Sequence, residues 1–167
     1  MAGVPTSNFT PDSVNAQIAQ DFSGTATING TTVTITAQGV YVQNPGSQPV
    51  NTVNVVADTA GVTASGRSEI NAIGGDKITV GAGGKDAASA RTMSHELGGH
   101  AGGAGDQYKG GVGANGKVLS ADVPGPSNVM KDLQGNPSNE QTRREIINAP
   151  TNVNSCAKGV SAANGGC

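Results

Sequence analysis

Aromatic side chains are almost missing from this sequence. Phe9, Phe22, Tyr41 and Tyr108 are the only Phe and Tyr among 167 residues, and there is no Trp. Any core must therefore be built from Val, Ile, Ala and Met. Charge is scarce too: Asp, Glu, Lys and Arg make up 13% of the chain and the net charge is −2. With no basic block, nucleic-acid binding through phosphate neutralisation is excluded. No apolar run approaches the roughly 20 residues that span a bilayer, so no membrane partner is expected. Met1 to Asn15 lack both the charged and the apolar regions of a signal peptide. Low charge with 35% hydrophobic content is not the composition of a disordered chain, which combines high net charge with low hydrophobicity.

Glycine is abundant instead. There are 26, about twice average usage, so many positions must be turns, close contacts or loops. The length suits one domain over residues 1–167, large enough to bury about two-thirds of the surface of its unfolded chain, and we expect a monomer. The two cysteines, Cys156 and Cys167, fall in the last twelve residues. A disulfide between them would close a short Gly, Ala, Ser and Asn-rich loop and contribute about 2–3 kcal/mol on the chain-entropy model. The alternative is two free thiols in a frayed end. A bridge implies an oxidising destination. Without a signal peptide, that points to a secreted protein or a piece delivered within a larger exported one.

Local patterns give the order of elements. Thr10-Pro11-Asp12 is a helix start, with an N-cap residue, proline at the first helical position and then an acid. Val14, Ile18 and Phe22 recur at i, i+4 and i+8, and Gly24 ends the stripe. Two alternating Thr-rich runs flank Asn29-Gly30, a hairpin signal because both turn residues need positive φ. Gly39 to Gln43 continues as strand. Val50 to Ala57 and Lys77 to Val80 read as further strands. From Ala87 to Leu97 the composition favours helix, with Asp86 or Ser89 as cap. A glycine-rich loop follows to Gly116. Ser138 and Gln141 form a capping box for a last helix that buries Ile146 and Ile147 and stops at Pro150. The expected fold class is α+β: a twisted mixed β-sheet with an N-terminal helix, an active-site helix and a C-terminal helix.

The chemistry concentrates in Ser94-His95-Glu96-Leu97-Gly98-Gly99-His100. These are the only two histidines, and they flank a glutamate. As ordinary polar residues they would merely sit favourably at a helix C-terminus. As a site, two imidazoles on one helical face bind Zn²⁺, and the Glu beside the first activates a water at the metal. The spacing departs from the common H-E-x-x-H by one residue. Four residues turn a regular helix by about 400°, leaving two side chains about 40° apart. Five leave them about 140° apart, which cannot serve one ion. Gly98-Gly99 offers a remedy, either a π-bulge or a helix end from which His100 swings back. Otherwise the insertion destroys the site.

His95-Glu96-Leu97-Gly98-Gly99-His100 followed by Gly103 and Asp106 resembles the metzincin pattern H-E-x-x-H-x-x-G-x-x-H/D with one glycine inserted. His100, Gly103 and Asp106 keep the family spacing. The Asp is similar to that of the small snapalysin-type proteases. The resemblance implies a zinc metalloendopeptidase of metzincin-like build with His95, His100 and Asp106 as ligands. It makes Glu96 the general base, and Met130 in Asn128-Val129-Met130 the methionine of a turn beneath the metal. Met130 reads equally as an ordinary core residue. Tyr108 could donate to a developing oxyanion, or simply pack. Dipeptidyl peptidase III enzymes carry H-E-x-x-G-H, which His95 to His100 also matches, with a later Glu as third ligand. Glu140 and Glu145 are the candidates here.

With Asp106-Gln107-Tyr108, Ile146-Ile147-Asn148-Ala149-Pro150 and the Cys156 to Cys167 tail, the C-terminal half also resembles the metallopeptidase toxin domains of Rhs-type polymorphic toxins. This implies an exported toxin with a polypeptide substrate and an immunity or inhibitor protein as partner. A peptide substrate lies along an edge strand, for which Lys77 to Val80 is the nearest candidate. Two alternatives stand beside this reading: a zinc amidase acting on cell-wall peptides, and an inactive binding domain whose zinc site the inserted glycine has broken.

Overall fold

Thr10 opens the first helix as the sequence predicts. Its Oγ1 accepts the Ser13 N–H at 3.2 Å, while Ser13 Oγ accepts the Thr10 N–H at 2.8 Å. Helix α1 (Pro11–Phe22) follows and buries Val14, Ile18, Asp21 and Phe22. The structure, a computed structural model, describes residues 9–47, 50–56, 68–81 and 89–149. The Cys156 to Cys167 bridge and the Pro150 helix stop lie outside the described residues.

Strands β1 (Gly24–Ile28) and β2 (Thr31–Ile35) form the antiparallel hairpin expected around Asn29-Gly30. Both turn residues have positive φ, 49° and 80°, which matches the right-handed twist of the flanking strands. Three further strands are β3 (Thr52–Val56), β4 (Glu69–Ile70) and β5 (Lys77–Gly81). They form a mixed sheet in the order β3-β5-β4, with β3 parallel and β4 antiparallel to β5. The fold is α+β. The described strands make two small sheets, however, where one was expected. Residues 39–43, expected as strand, join neither. Alternation there is a local pattern, and a strand also needs a partner edge.

Lys77 to Val80 is the second correction. It is the central strand of its sheet, not an edge, because β3 and β4 flank it on both sides. The short β4, which the sequence did not suggest, holds the edge.

The last helix, α3 (Glu140–Asn148), is capped one residue later than predicted. Asn139 Oδ1 accepts the Thr142 N–H at 2.9 Å. Ser138 is instead buried, its N–H donating to the Asp21 carbonyl at 2.7 Å. One core joins these elements: Val14, Ile18 and Phe22 of α1, Ile78 and Val80 of β5, then Met93, Ala104, Val129 and Met130. Leu97 and Ile146 pack against it. No helix among the described residues is long and apolar enough to cross a membrane.

Candidate metal centre

Ser89 caps the next helix by accepting the Thr92 N–H at 3.1 Å. Helix α2 (Ala90–Met93) makes one turn and then widens into a π-helix, Ser94–His100. At its exit the Ala101 N–H donates to the Glu96 carbonyl at 2.8 Å, and the Ala104 N–H to the Gly99 carbonyl at 2.9 Å. Each bond reaches back five residues. Such a turn carries a side chain round to lie over the one five positions earlier. His95 and His100 therefore share a face, with ring centroids 4.5 Å apart and planes at 84°.

The doubled glycine serves space more than backbone freedom, since neither residue is among the positive-φ glycines. A Cβ on Gly98 would lie 2.6 Å from Phe22 Cδ2, and one on Gly99 would lie 2.7 Å from Met130 Cε. The widened turn thus rests directly on the core. Gly103 does need its backbone freedom, at φ 99°, where the chain turns toward Asp106.

A glycine-rich loop then fixes Asp106. Its N–H donates to the Val112 carbonyl at 2.7 Å, and its Oδ2 accepts the Val112 N–H at 2.9 Å. That leaves Oδ1 facing the histidines, 3.3 Å from His100 Nε2 and 3.5 Å from His95 Nε2. Oδ1 is buried and has no hydrogen-bond partner. On the far side of each ring, His95 Nδ1 lies 2.8 Å from the Val129 carbonyl and His100 Nδ1 2.9 Å from the Ala104 carbonyl. A carbonyl can only accept, so both Nδ1 atoms carry a proton, and each ring turns its Nε2 toward Oδ1.

Three electron-pair donors thus converge, all within 4.8 Å of one another. Burial works against ionising Asp106, but the His100 and His95 rings and the Val112 N–H outweigh it and hold its carboxyl well below the usual carboxylate range. His95, His100 and Asp106 could hold a metal ion, and they are the one such group among the described residues.

The cluster opens on a cavity of about 860 Å³. Its walls come from β4 and the turn after it, from the π-helix and from residues 129–134. Glu96 and Tyr108 both line it. Glu96 is buried at 4% exposure, and Tyr108 is half-buried. The turn after β4 is tied to His100, because the Gly74 N–H donates to the His100 carbonyl at 2.7 Å. Met130 is fully buried against Gly99, in a turn closed by the Lys131 and Asp132 N–H groups on the Asn128 carbonyl, each at 2.8 Å.

Neither alternative acid joins the cluster. Glu145 accepts from the Gly105 N–H at 3.3 Å and from Gln141 at 3.0 Å. Glu140 is exposed and accepts the Thr27 N–H at 2.8 Å.

Two polar supports escaped the sequence reading. Asp21, fully buried, pairs with Arg91 and accepts from Ser94 Oγ at 2.6 Å. Arg91 in turn donates to the carbonyls of Gly135 and Asn136 at 2.6 and 2.9 Å. The signal was present, since Asp21 sits on the apolar stripe at i+3 from Ile18. The second is Gln107, 1% exposed and hydrogen-bonded to Asn128, Asn139 and Thr142. A glutamine in a glycine-rich loop gives no such warning. No protein-family model, curated protein or solved structure matches this chain.

Proposed function

We propose that the protein is a zinc-dependent endopeptidase. The observation that carries this reading is the convergence of His95, His100 and the unpartnered Asp106 Oδ1 on one point, with Glu96 in the same cavity. Two imidazole nitrogens and one carboxylate oxygen form a donor set that suits catalytic zinc, which keeps a fourth position open. Metal–ligand bonds near 2.0–2.1 Å in a tetrahedron put neighbouring donors about 3.3 Å apart. The observed 3.3 and 3.5 Å separations agree with that.

Zinc held there would supply Lewis-acid polarisation of a scissile carbonyl and a water acidified toward neutral pH. The chain's own residues would do the rest. The Val129 and Ala104 carbonyls hold the two imidazoles in the metal-binding tautomer. Glu96 takes the proton from the attacking water and passes it to the leaving amine. Tyr108 donates to the oxyanion from the cavity wall. The polypeptide substrate adds alongside β4, the sheet edge that lines the cavity. In its wider setting we read the chain as a toxin delivered within a larger exported protein, a proposal that rests on the resemblance and on the two cysteines.

Metal analysis and casein hydrolysis test the reading together. We expect about one zinc per chain, lost on His95→Ala or Asp106→Ala. Glu96→Gln should keep the zinc and lower casein cleavage about 100- to 10,000-fold. Zinc uptake with Glu96→Gln as active as the parent would refute the peptidase mechanism while leaving the metal site standing. Turnover of peptidoglycan in place of casein would make it an amidase.

A further inference from the structure

The donors' separation has to be set by something, because His95 stands on the π-helix and Asp106 on the loop that follows it. Gln107 touches the supports of both. It follows Asp106 directly, so its backbone fixes where that ligand stands. Its N–H donates to the Met130 carbonyl at 2.8 Å, and its carbonyl accepts the Val123 N–H at 2.9 Å. Its side chain reaches the same turn by another route. Gln107 Oε1 accepts from Asn128 Nδ2 at 2.9 Å, while Asn128 Oδ1 accepts the Met130 N–H at 3.0 Å. Between Asn128 and Met130 stands Val129, whose carbonyl orients His95.

The network ends on α3. Gln107 Nε2 donates to Thr142 Oγ1 at 2.8 Å and to Asn139 Oδ1 at 3.3 Å, and Gln107 Oε1 also accepts from Asn139 Nδ2 at 2.8 Å. Every donor and acceptor of this buried amide is therefore used. Gln107 and Thr142 are 1% and 0% exposed, and Asn139 is also the cap of α3. A buried amide needs all its partners, because an unmet one keeps its full desolvation cost. The geometry is accordingly over-determined, with one side chain locking the Asp106 segment, the Val129 turn and the α3 N-terminus in a single arrangement.

We propose that Gln107 is a positioning residue of the metal centre, which sets the His95 to Asp106 separation through the Asn128–Val129–Met130 turn. This rests on the metal reading above, and the experiment separates the two. The full-length chain is titrated with Zn²⁺ against a chelator of known affinity, and separately with Co²⁺ while the visible absorption of the bound ion is recorded. Gln107→Glu keeps the shape and the Oε1 acceptor but loses both donated bonds. It should weaken Zn²⁺ binding about 10- to 100-fold, the usual range for a group that orients a ligand. It should also change the intensity and position of the Co²⁺ bands.

Ile28→Ala, in the β1–β2 hairpin, is the control for lost stability. It should lower the melting temperature with affinity and spectrum unchanged. Asn128→Asp keeps the acceptor for Met130 and breaks only the link to Gln107. It should reproduce the Gln107→Glu effect, and it decides the matter if Gln107→Glu does not fold. Parental affinity and an unchanged Co²⁺ spectrum in the folded variant would overturn the proposal. So would a loss no greater than that of Ile28→Ala. Failure of the parent chain to bind either ion would remove the metal centre itself.

Discussion

The π-helix and α3 are neighbours in size but opposite in what sustains them. Helix α3 carries short-range devices of its own, an Asn139 cap, the Gln141–Glu145 pair at i,i+4 and one half-buried apolar side, to which distant bonds with Gln107, Thr25 and Thr27 are added. The π-helix contains two glycines, the poorest helix formers after proline, and its widened turn has no strong local preference behind it. Tertiary contacts hold it instead. Phe22 and Met130 occupy the space that side chains on Gly98 and Gly99 would fill. Asp21 holds Ser94, and Gly74 holds the His100 carbonyl. Local signals start α3 and tertiary bonds fasten it, whereas the rest of the molecule must impose the geometry of the π-helix from the outset.

The sharpest way to break this contrast is to delete Gly99. His95 and the second histidine would then stand at i,i+4, the spacing a regular helix serves. If helical geometry alone governed the site, metal affinity would hold or rise. We expect a loss of at least about 10-fold, because the deletion shifts every later residue off Met130 and Gly74. Chelator competition reads the difference. Gly98→Ala comes next. Its Cβ meets the buried ring of Phe22, so overpacking should cost about 1–3 kcal/mol in denaturant unfolding and weaken metal binding in the same variant.

Helix α3 should behave differently. Arg143→Met removes bonds to the Thr25 carbonyl at 2.9 Å and to Ser138. It should cost about 1 kcal/mol of stability and leave the folded protein's metal affinity unchanged. The smallest effect belongs to Glu140. The Thr27 N–H, and then Arg144 and Arg143, hold its carboxyl below the ordinary value. A lowered native pKa gives stability that is present above the ordinary glutamate value and lost as pH falls through the lowered one. Stability measured downward from about pH 5 should therefore fall slightly less steeply in Glu140→Gln than in the parent.

The same contrast explains what the sequence disclosed. Helix α1, the Asn29-Gly30 hairpin and α3 carry caps and turn residues that act within a few positions, and all three were readable, with the α3 cap displaced by one. His95, His100 and Asp106 were readable because histidine occurs only twice here and the three residues are closely spaced. The expected strand at residues 39–43 failed because alternation says nothing about a partner. The two-residue β4 and the parallel β3–β5 pairing depend on contacts distant in the chain. Gln107 illustrates the limit. Its four partnerships come from Asn128, Asn139 and Thr142, and no local pattern announces them. The glycine pair was noticed for its flexibility, yet its close contacts with Phe22 and Met130 could be seen only once the chain was folded.

The bare oxygen of Asp106 also bears on where the protein can endure. An ion captured there would bind native chains in preference to unfolded ones, so its supply would become a lever on survival. Above the dissociation constant, every tenfold rise in free ion deepens the native well by about 1.4 kcal/mol. In a compartment stripped of such ions the chain would open more often and become easier to degrade. Its working lifetime would then follow the mineral content of its surroundings.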